Sequence, residues 1–257
     1  MRSALTLRVF ICAALTPLLF APSTTFAGYM VTVPGTASIW LAGQPNGTTV
    51  YQNTAPTNSP ILIDLSALGN PASLTFAVTG GTARGPDSVG FPLVGGDGET
   101  PGTGPNADQA WAMPPVFNLS GYTGPYSGLV GVFIGAGPPT ATPSSLSFGT
   151  PGERSFVTLA PELQQVFFIG DGLTGVGTGA VQTFYAPTGA TRLYLATYDS
   201  ISFDNVGALQ VEITPVPAPP SVVLLGLGFV TLWLRQALPR RTRLAYRKTV
   251  RVSIPLP

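Results

Sequence analysis

The feature that most limits the possible folds is a series of short segments rich in β-branched and aromatic residues, separated by Gly, Pro and Ser turns. None of these segments reaches helical length with an amphipathic 3.6-residue repeat. Such a pattern favours an all-β fold, an antiparallel β-sandwich or jelly roll. The predicted strands are 38–41, 61–65, 73–78, 129–134, 156–159, 165–169, 180–185, 191–197 and 208–213.

Alternation of residue types is clearest near the end of this series. Arg192, Tyr194 and Ala196 would share one face, which predicts a half-buried strand. The turn at 186–190 precedes it, so residues 181–197 are predicted to form a hairpin. The stretch 80–128 is richer in Gly, Pro and acidic residues, and we expect loops there with two short strands. Loops often carry binding sites.

The charges divide the chain into an acidic middle and two basic ends. Seven of the twelve basic residues lie in the last 23 positions, and two more lie near the N-terminus. The remaining three Arg stand against eleven acidic residues between Asp64 and Glu212, so the middle carries a formal charge of −8. This part has no Lys, and we expect no nucleic-acid partner, because phosphate binding needs clustered basic residues.

The N-terminal residues 1–27 are typical of a secretory signal peptide, with cleavage expected between Ala27 and Gly28. Cys12 is the only cysteine and lies inside this segment, so the exported protein should contain no disulfide. The chain has no His, which excludes serine-histidine catalysis and most zinc sites. A metal bound here should be held by oxygen atoms, which indicates calcium.

The C-terminal part predicts a membrane anchor. A Pro-rich linker at 213–221 follows the ectodomain 28–212 and precedes an apolar segment at 222–238, which we expect to form a transmembrane helix. The basic tail 239–257 comes last. The positive-inside rule places these charges in the cytoplasm and the acidic body outside it. The charges that flank the helix are Arg235, Arg240, Arg241 and Arg243.

The order of these C-terminal parts resembles the PEP-CTERM sorting signal of Gram-negative bacteria. Val216, Pro217, Ala218 and Pro219 occupy the place of the Pro-Glu-Pro motif, with Ala218 where Glu is usual. The resemblance implies an exosortase-like processing enzyme as a partner. It also implies release from the inner membrane to the cell surface or the extracellular space, in association with exopolysaccharide.

The connection between the last two predicted strands, residues 199–207, is rich in side-chain oxygen atoms. Asp199, Ser202, Asp204 and Asn205 lie on it. Calcium takes roughly 6–8 oxygen ligands in irregular geometry, so these residues could bind it. Asp, Asn and Gly are equally frequent in ordinary turns, and composition alone leaves both interpretations open.

Four passages around this connection carry a resemblance: 127–135, 184–187, 193–195 and 204–211. They are similar to the calcium-dependent galactophilic bacterial lectins, which are small galactose-binding jelly rolls. The resemblance implies that Asp199, Ser202, Asp204 and Asn205 bind calcium together with the main-chain carbonyl of Arg84, and that calcium contacts sugar hydroxyls. It further implies acidic contacts to the sugar, for which the chain offers Asp97 and Asp108.

The sequence therefore predicts an exported, non-enzymatic envelope or matrix protein that binds carbohydrate, such as a galactose-type glycan or exopolysaccharide, through a calcium loop. One alternative is a purely structural protein with no ligand site. Another is a carboxylate-based glycoside hydrolase, for which 97–99 and 153–162 offer pairs of acidic residues. The Gly-rich segment 170–179 lacks the Gly-Lys-Ser/Thr ending of a phosphate loop and is expected to be a flexible loop.

Overall fold

A computed structural model describes residues 28–85, 91–100 and 110–217 of the chain. These residues belong to one compact unit built from β-strands with almost no helix, which confirms the predicted all-β class. The helical parts are two 3-10 turns, η1 (Ile39–Leu41) and η2 (Leu65–Leu68), and the single turn α1 (Pro151–Arg154). The strands are β1 (Tyr29–Pro34), β2 (Thr49–Val50), β3 (Asn53–Thr54), β4 (Ile61–Asp64), β5 (Ser73–Ala83), β6 (Trp111–Met113), β7 (Tyr122–Gly124), β8 (Leu129–Ile134), β9 (Leu146–Ser147), β10 (Thr158–Leu159), β11 (Val166–Phe168), β12 (Leu173–Gly175), β13 (Thr178–Val181), β14 (Thr183–Tyr185), β15 (Arg192–Thr197) and β16 (Val206–Val216).

Two sheets contain most of these strands. The five-stranded sheet has the order β1-β16-β5-β14-β10, and the four-stranded sheet has the order β11-β8-β15-β4. All pairs in these two sheets are antiparallel except β10 with β14. Three smaller sheets, β2-β3, β12-β13 and β6-β7-β9, lie in the connections between the long strands.

The hydrophobic core draws side chains from both large sheets. Phe76 and Phe184 of the five-stranded sheet pack edge to face with ring centroids 5.1 Å apart. Phe133 and Phe167 of the four-stranded sheet stack at 5.3 Å. The rings of Phe167 and Phe184 lie 5.7 Å apart and join the two groups. All four side chains belong to one buried apolar cluster, whose removal from water is the main driving force for this fold.

A glycine on β8 makes this aromatic packing possible. Gly131 lies opposite Phe167 in the β8-β11 ladder. A Cβ atom on Gly131 would lie 2.8 Å from the Phe167 ring and 2.9 Å from Ile169. The absence of a side chain therefore lets the Phe167 ring lie flat across the neighbouring strand.

Most predicted strands are present, but the one at 38–41 is wrong. Those residues contain the buried 3-10 turn η1. A short apolar run has no periodicity that separates a buried strand from a buried helical turn, which explains the error. The segment 180–185 contains two strands in different sheets, β13 and β14, with the buried residue Gln182 between them.

The predicted hairpin at 181–197 is also wrong. β14 pairs with β5 and β10 in the five-stranded sheet, whereas β15 pairs with β4 and β8 in the four-stranded sheet. The turn at 186–191 therefore carries the chain from one sheet to the other. Two good strands with a short turn between them satisfy the local pattern in either arrangement, so the sequence did not distinguish them.

The prediction that the strand at 191–197 is half-buried is also wrong. β15 is a central strand, and five of its six residues are buried, including Tyr194 and Ala196 on one face and Leu193 and Leu195 on the other. Arg192, at its start, is partly exposed and donates to the main-chain carbonyl of Gly135 at 3.0 Å through Nε. The two short strands expected within 80–128 are present as β6 and β7.

The last described strand continues beyond the expected end of the ectodomain. β16 pairs with β5 as far as Val216, opposite Ser73. The residues from Ile213 to Val216, which the sequence assigned to the linker, therefore belong to the sheet. Within the described part of the chain no helix has the length and apolar character needed to cross a membrane. The predicted helix at 222–238 and the tail at 239–257 lie outside the described residues.

Candidate functional site

A buried core residue, Trp40, supports the connection between β15 and β16 through a hydrogen bond. The indole Nε1 of the fully buried Trp40 donates to the main-chain carbonyl of Asp199 at 3.2 Å. The Asp199 carboxylate accepts the main-chain N–H of Ile201 at 3.1 Å. Asp199 is only 5% exposed, so its carboxylate lies in the protein and not on its surface. Trp40 precedes the connection by more than 150 residues, and nothing in its local sequence indicated this contact.

Asn53 is a second residue that fixes this connection and that sequence reasoning missed. It lies on β3 and is fully buried. Its Nδ2 donates to the carbonyl of Ser200, and its Oδ1 accepts the N–H of Ser202, both at 2.9 Å. One amide side chain therefore satisfies two main-chain groups of the connection, which would otherwise be buried without partners. A single Asn in a turn-rich segment gives no sequence signal for this role.

The predicted calcium ligands on this connection differ in their surroundings. Asn205 is buried, accepts the N–H of Gly85 at 3.3 Å and donates to the Gly35 carbonyl at 3.1 Å. The Ser202 hydroxyl is buried and has no hydrogen-bond partner within the described ranges. Asp204 is partly exposed, and no hydrogen bond to its carboxylate occurs among these residues. Asp204 and Ser202 therefore have oxygen atoms that could accept a new ligand.

Burial determines the charge state of Asp199. It raises the pKa of this carboxyl from 3.8 to about 6, although the hydrogen bond from Ile201 opposes the change. The folded protein therefore holds a proton on Asp199 at pH values where the unfolded chain has lost it. As a result, this group reduces the free energy of unfolding as the pH rises from about 4 to about 6, and the loss persists at neutral pH.

The Asp199→Asn variant should therefore be more stable than the wild type at pH 7 in the absence of calcium, by about 2 kcal/mol. Asparagine can still accept the Ile201 N–H but carries no charge. Urea denaturation of both proteins at pH 4 and pH 7 in EDTA measures the difference, which should be small at pH 4. A variant that is less stable than the wild type at both pH values would show that burial of this charge is not costly.

The Arg84 side chain forms an ion pair and two aromatic contacts. The resemblance had assigned a role, as a calcium ligand, only to the main-chain carbonyl of this residue. Its guanidinium donates through Nε and a terminal nitrogen to the two carboxylate oxygens of Glu99, at 2.5 and 2.9 Å. The same guanidinium lies 4.4 Å from the ring centre of Phe91 and 4.2 Å from that of Tyr126. Such an arrangement combines a paired charge with two cation-π contacts. Sequence reasoning identified neither Glu99 nor Tyr126 as partners of Arg84.

An aromatic group continues from Tyr126 to the surface. Tyr126 and Tyr198 stack with ring centroids 5.7 Å apart, and Trp111 lies 5.2 Å from Tyr126. The Tyr198 hydroxyl donates to the Trp111 carbonyl at 2.8 Å. Burial raises the pKa of both tyrosines, so both hydroxyls are neutral donors at physiological pH. Trp111 is 39% exposed and presents an aromatic surface to solvent.

The two predicted sugar-contacting acids have different outcomes. Asp97 lines a pocket next to α1 and β12. Its carboxylate and that of Asp199 accept hydrogen bonds from different residues. Its carboxylate accepts the N–H of Asp171 at 3.2 Å. Burial, and then the neighbouring Asp171 charge, raise the pKa of Asp97. Asp108 lies outside the described residues.

Asp171 is committed to its own loop. One carboxylate oxygen accepts the N–H of Leu173 at 2.8 Å, and the other accepts the N–H of Gly177 at 2.7 Å. These bonds order the Gly-rich segment 170–179, which carries β12 and part of β13 and so is not the structureless loop that the sequence indicated. Thr174 adds a third bond by accepting the N–H of Ala180 at 3.1 Å.

The residues around Asp199 can be tested for their fit to calcium. Within the described ranges no group of three or more acidic residues could hold a metal ion. A cation here would use the carboxylates of Asp199 and Asp204, the Ser202 hydroxyl and main-chain carbonyls. Ser202 is compatible with an added ligand, since its hydroxyl is one of five buried side-chain atoms in the described ranges that have no hydrogen-bond partner. All these donors are oxygen atoms, so the set fits a hard cation.

Few of the predicted processing residues lie within the described ranges. Gly28 begins the first of them, Val216 ends β16, and Pro217 follows it. The remaining ones lie outside these ranges: Ala27, Ala218, Pro219, Arg235, Arg240, Arg241 and Arg243. No protein-family model matches the chain, and comparisons with curated proteins and with solved structures found no match.

Proposed function

We propose that the chain is an exported, non-enzymatic envelope or matrix protein whose β-rich body binds carbohydrate with the help of calcium. The observation that carries the proposal is the presence, on one short connection, of a buried carboxylate, Asp199, and a buried hydroxyl that lacks a partner, Ser202. Burial of the charged carboxylate and of the unpaired hydroxyl lowers the free energy of unfolding, and a bound cation would offset both costs.

Calcium would be held by Asp199, Ser202 and Asp204. The carbonyl of Arg84 and the side-chain oxygen of Asn205 are further candidates, since the Asn205 oxygen accepts only one long hydrogen bond, of 3.3 Å. Bound calcium would supply a positive charge and open positions to which sugar hydroxyls can coordinate. With only two carboxylates in the set, the affinity should be in the range of extracellular modules, about 10⁻⁴ to 10⁻³ M.

Titration with calcium should reverse the stability order of wild type and Asp199→Asn. Without calcium the variant is expected to be the more stable protein. At a calcium concentration of about 100 times Kd, the free energy of unfolding of the wild type should rise by about 2.7 kcal/mol, and that of the variant by much less. Thermal unfolding of the full chain in EDTA and in calcium measures both.

A matched control uses an acidic residue on the surface. Asp64 caps η2 by accepting the N–H of Ser66 at 2.9 Å, and it is exposed. The Asp64→Asn variant should respond to calcium as the wild type does. An equal lack of response in all three proteins would remove the calcium site and favour a structural matrix protein without a ligand.

We further propose that the two large sheets form the layers of a sandwich, in the manner of a jelly roll. The support is the common core, in which Phe167 of the four-stranded sheet touches Phe184 of the five-stranded sheet. In such a sandwich the connection at 199–205 and Arg84, which directly follows β5, would lie at one edge. This edge is where loops can present a binding site.

Export is proposed from the two ends of the chain, with the inner membrane and then the cell surface or extracellular space as destinations. An exosortase-like enzyme would process the C-terminal signal. One structural observation supports cleavage after Ala27: the Glu212 carboxylate packs against Gly28, where a Cβ would overlap it. A new ammonium group at Gly28 would therefore lie beside a carboxylate, although an exposed pair of this kind contributes little stability.

The hydrolase alternative has less support than binding. A glycosidase needs two carboxyl groups free to act on either side of the scissile bond. Asp171, whose main-chain N–H donates to Asp97, uses both carboxylate oxygens for its own loop, and Glu99 is paired with Arg84. Neither of these two acids is free to act with Asp97, so we retain the non-enzymatic proposal.

A further inference from the structure

The pocket that Asp97 lines is located between α1 and the β12-β13 loop, and none of its lining residues belongs to the Asp199 connection. Its volume is about 130 Å³. An apolar part of the wall comes from Phe168, Leu173 and Val176, and a polar part from Asp97, Arg154 and Thr174. Both walls are ordered, because Asp171 and Thr174 hold the loop and the capping box of Thr150 and Glu153 holds α1.

The size of the pocket limits the ligand to one ring. A cavity of about 150 Å³ lined by apolar side chains accommodates a benzene molecule, whereas drug-sized ligands need about 300 Å³ or more. The pocket is therefore suited to a single six-membered ring or the terminal residue of a longer chain. An extended oligosaccharide would have to continue outside it.

The two charges of the pocket balance each other, so the pocket favours neither a cationic nor an anionic ligand. Asp97 and Arg154 place one negative and one positive group on the same wall. Arg154 uses NH1 to donate to the Phe148 carbonyl at 2.7 Å, which leaves other N–H groups of the guanidinium available. Asp97 accepts hydrogen bonds, and Arg154 donates them. A ligand with hydroxyl groups can satisfy both, whereas an ammonium or a carboxylate group would meet a like charge.

We propose that this pocket binds a single neutral sugar ring without calcium, with hydroxyls on Asp97 and Arg154 and an apolar face of the ring against Leu173 and Val176. The inference rests on the proposed carbohydrate-binding function and adds a second, metal-independent position for the ligand. The exposed Val176 gains a role here: its side chain is 61% exposed and covers the sugar when the pocket is filled.

The test is a titration of the full chain with methyl β-D-galactopyranoside, methyl α-D-glucopyranoside, glucosamine and glucuronate in EDTA. Saturable binding of a neutral methyl glycoside is expected, tighter than that of either charged sugar. Asp97→Asn should weaken it about tenfold, because a hydrogen bond to a charged acceptor is lost to a neutral one. Val176→Ala should weaken it about threefold through lost apolar contact.

Two controls keep the result interpretable. The amide oxygen introduced by Asp97→Asn can still accept the Asp171 N–H, so this variant should fold, and thermal unfolding checks this. Asp64→Asn, a change at an exposed cap of η2, should bind the glycosides as the wild type does. Binding that requires calcium, or that Asp199→Asn abolishes and Asp97→Asn preserves, would overturn the pocket and leave the proposed function standing. Absence of saturable binding by any of the four probes in EDTA would also overturn the pocket, while the calcium titration decides the proposed function separately.

Discussion

Replacing Glu99 by glutamine should lower the free energy of unfolding by about 3 kcal/mol. The Glu99 side chain is 5% exposed and receives two hydrogen bonds from Arg84, at 2.5 and 2.9 Å. A glutamine offers one oxygen in place of two and no charge. The Arg84 guanidinium would then remain beside the rings of Phe91 and Tyr126 without a hydrogen-bonded counterion. Urea denaturation at pH 7 measures the loss.

Removal of both charges is the matched control for this prediction. The double variant Arg84→Met with Glu99→Leu leaves no unpaired charge and should recover most of the lost stability. If the double variant were as unstable as Glu99→Gln, the loss would come from packing and not from the unpaired charge. The same double variant also removes a positive charge that acts on Asp199, so its calcium response should be at least as large as that of the wild type.

Trp40→Ala should have the largest effect, a loss of about 4 kcal/mol in the free energy of unfolding. Trp40 is fully buried, and its ring lies 6.4 Å from that of Tyr198. The substitution leaves a cavity and removes the donor to the Asp199 carbonyl. We therefore expect a weaker calcium response in addition to the loss of stability, because the connection loses its support from the core.

Two further variants test whether the loss of stability comes from the buried position of Trp40. Trp40→Phe keeps most of the ring and should cost about 1–2 kcal/mol. Tyr185→Ala, at a position that is 47% exposed, should cost little. Denaturation of the three proteins under one set of conditions gives the comparison. Equal losses for Trp40→Ala and Tyr185→Ala would contradict the role of Trp40 in the core.

The local pattern of the sequence predicted the existence of strands better than their partners. β8 coincides with the predicted strand at 129–134, because β-branched and aromatic residues there have no helical alternative. β1 was missed although Val31, Thr32 and Val33 are β-branched, since the segment follows directly after the expected cleavage position. Strand pairing between β14 and β5 depends on residues more than 100 positions apart, which local rules cannot reach.

At the candidate site, too, the sequence predicted the local residues but not the contacts with distant parts of the chain. Asp199, Ser202 and Asn205 were identified because they lie on one connection, and all three are buried there. Asn53 and Trp40 hold that connection from distant parts of the chain, and neither belongs to a motif. The side chain of Arg84 was also missed, because only the fold brings it to Glu99 and Tyr126.

Intact mass and subcellular location of the protein in its native host test most directly whether the acidic body works outside the cytosol. We predict a polypeptide that begins at Gly28, lacks the basic residues from Arg235 onward, and occurs in the envelope or extracellular fraction. A soluble cytosolic protein that retains both Met1 and Pro257 would contradict export, and with it the proposed binding of extracellular carbohydrate.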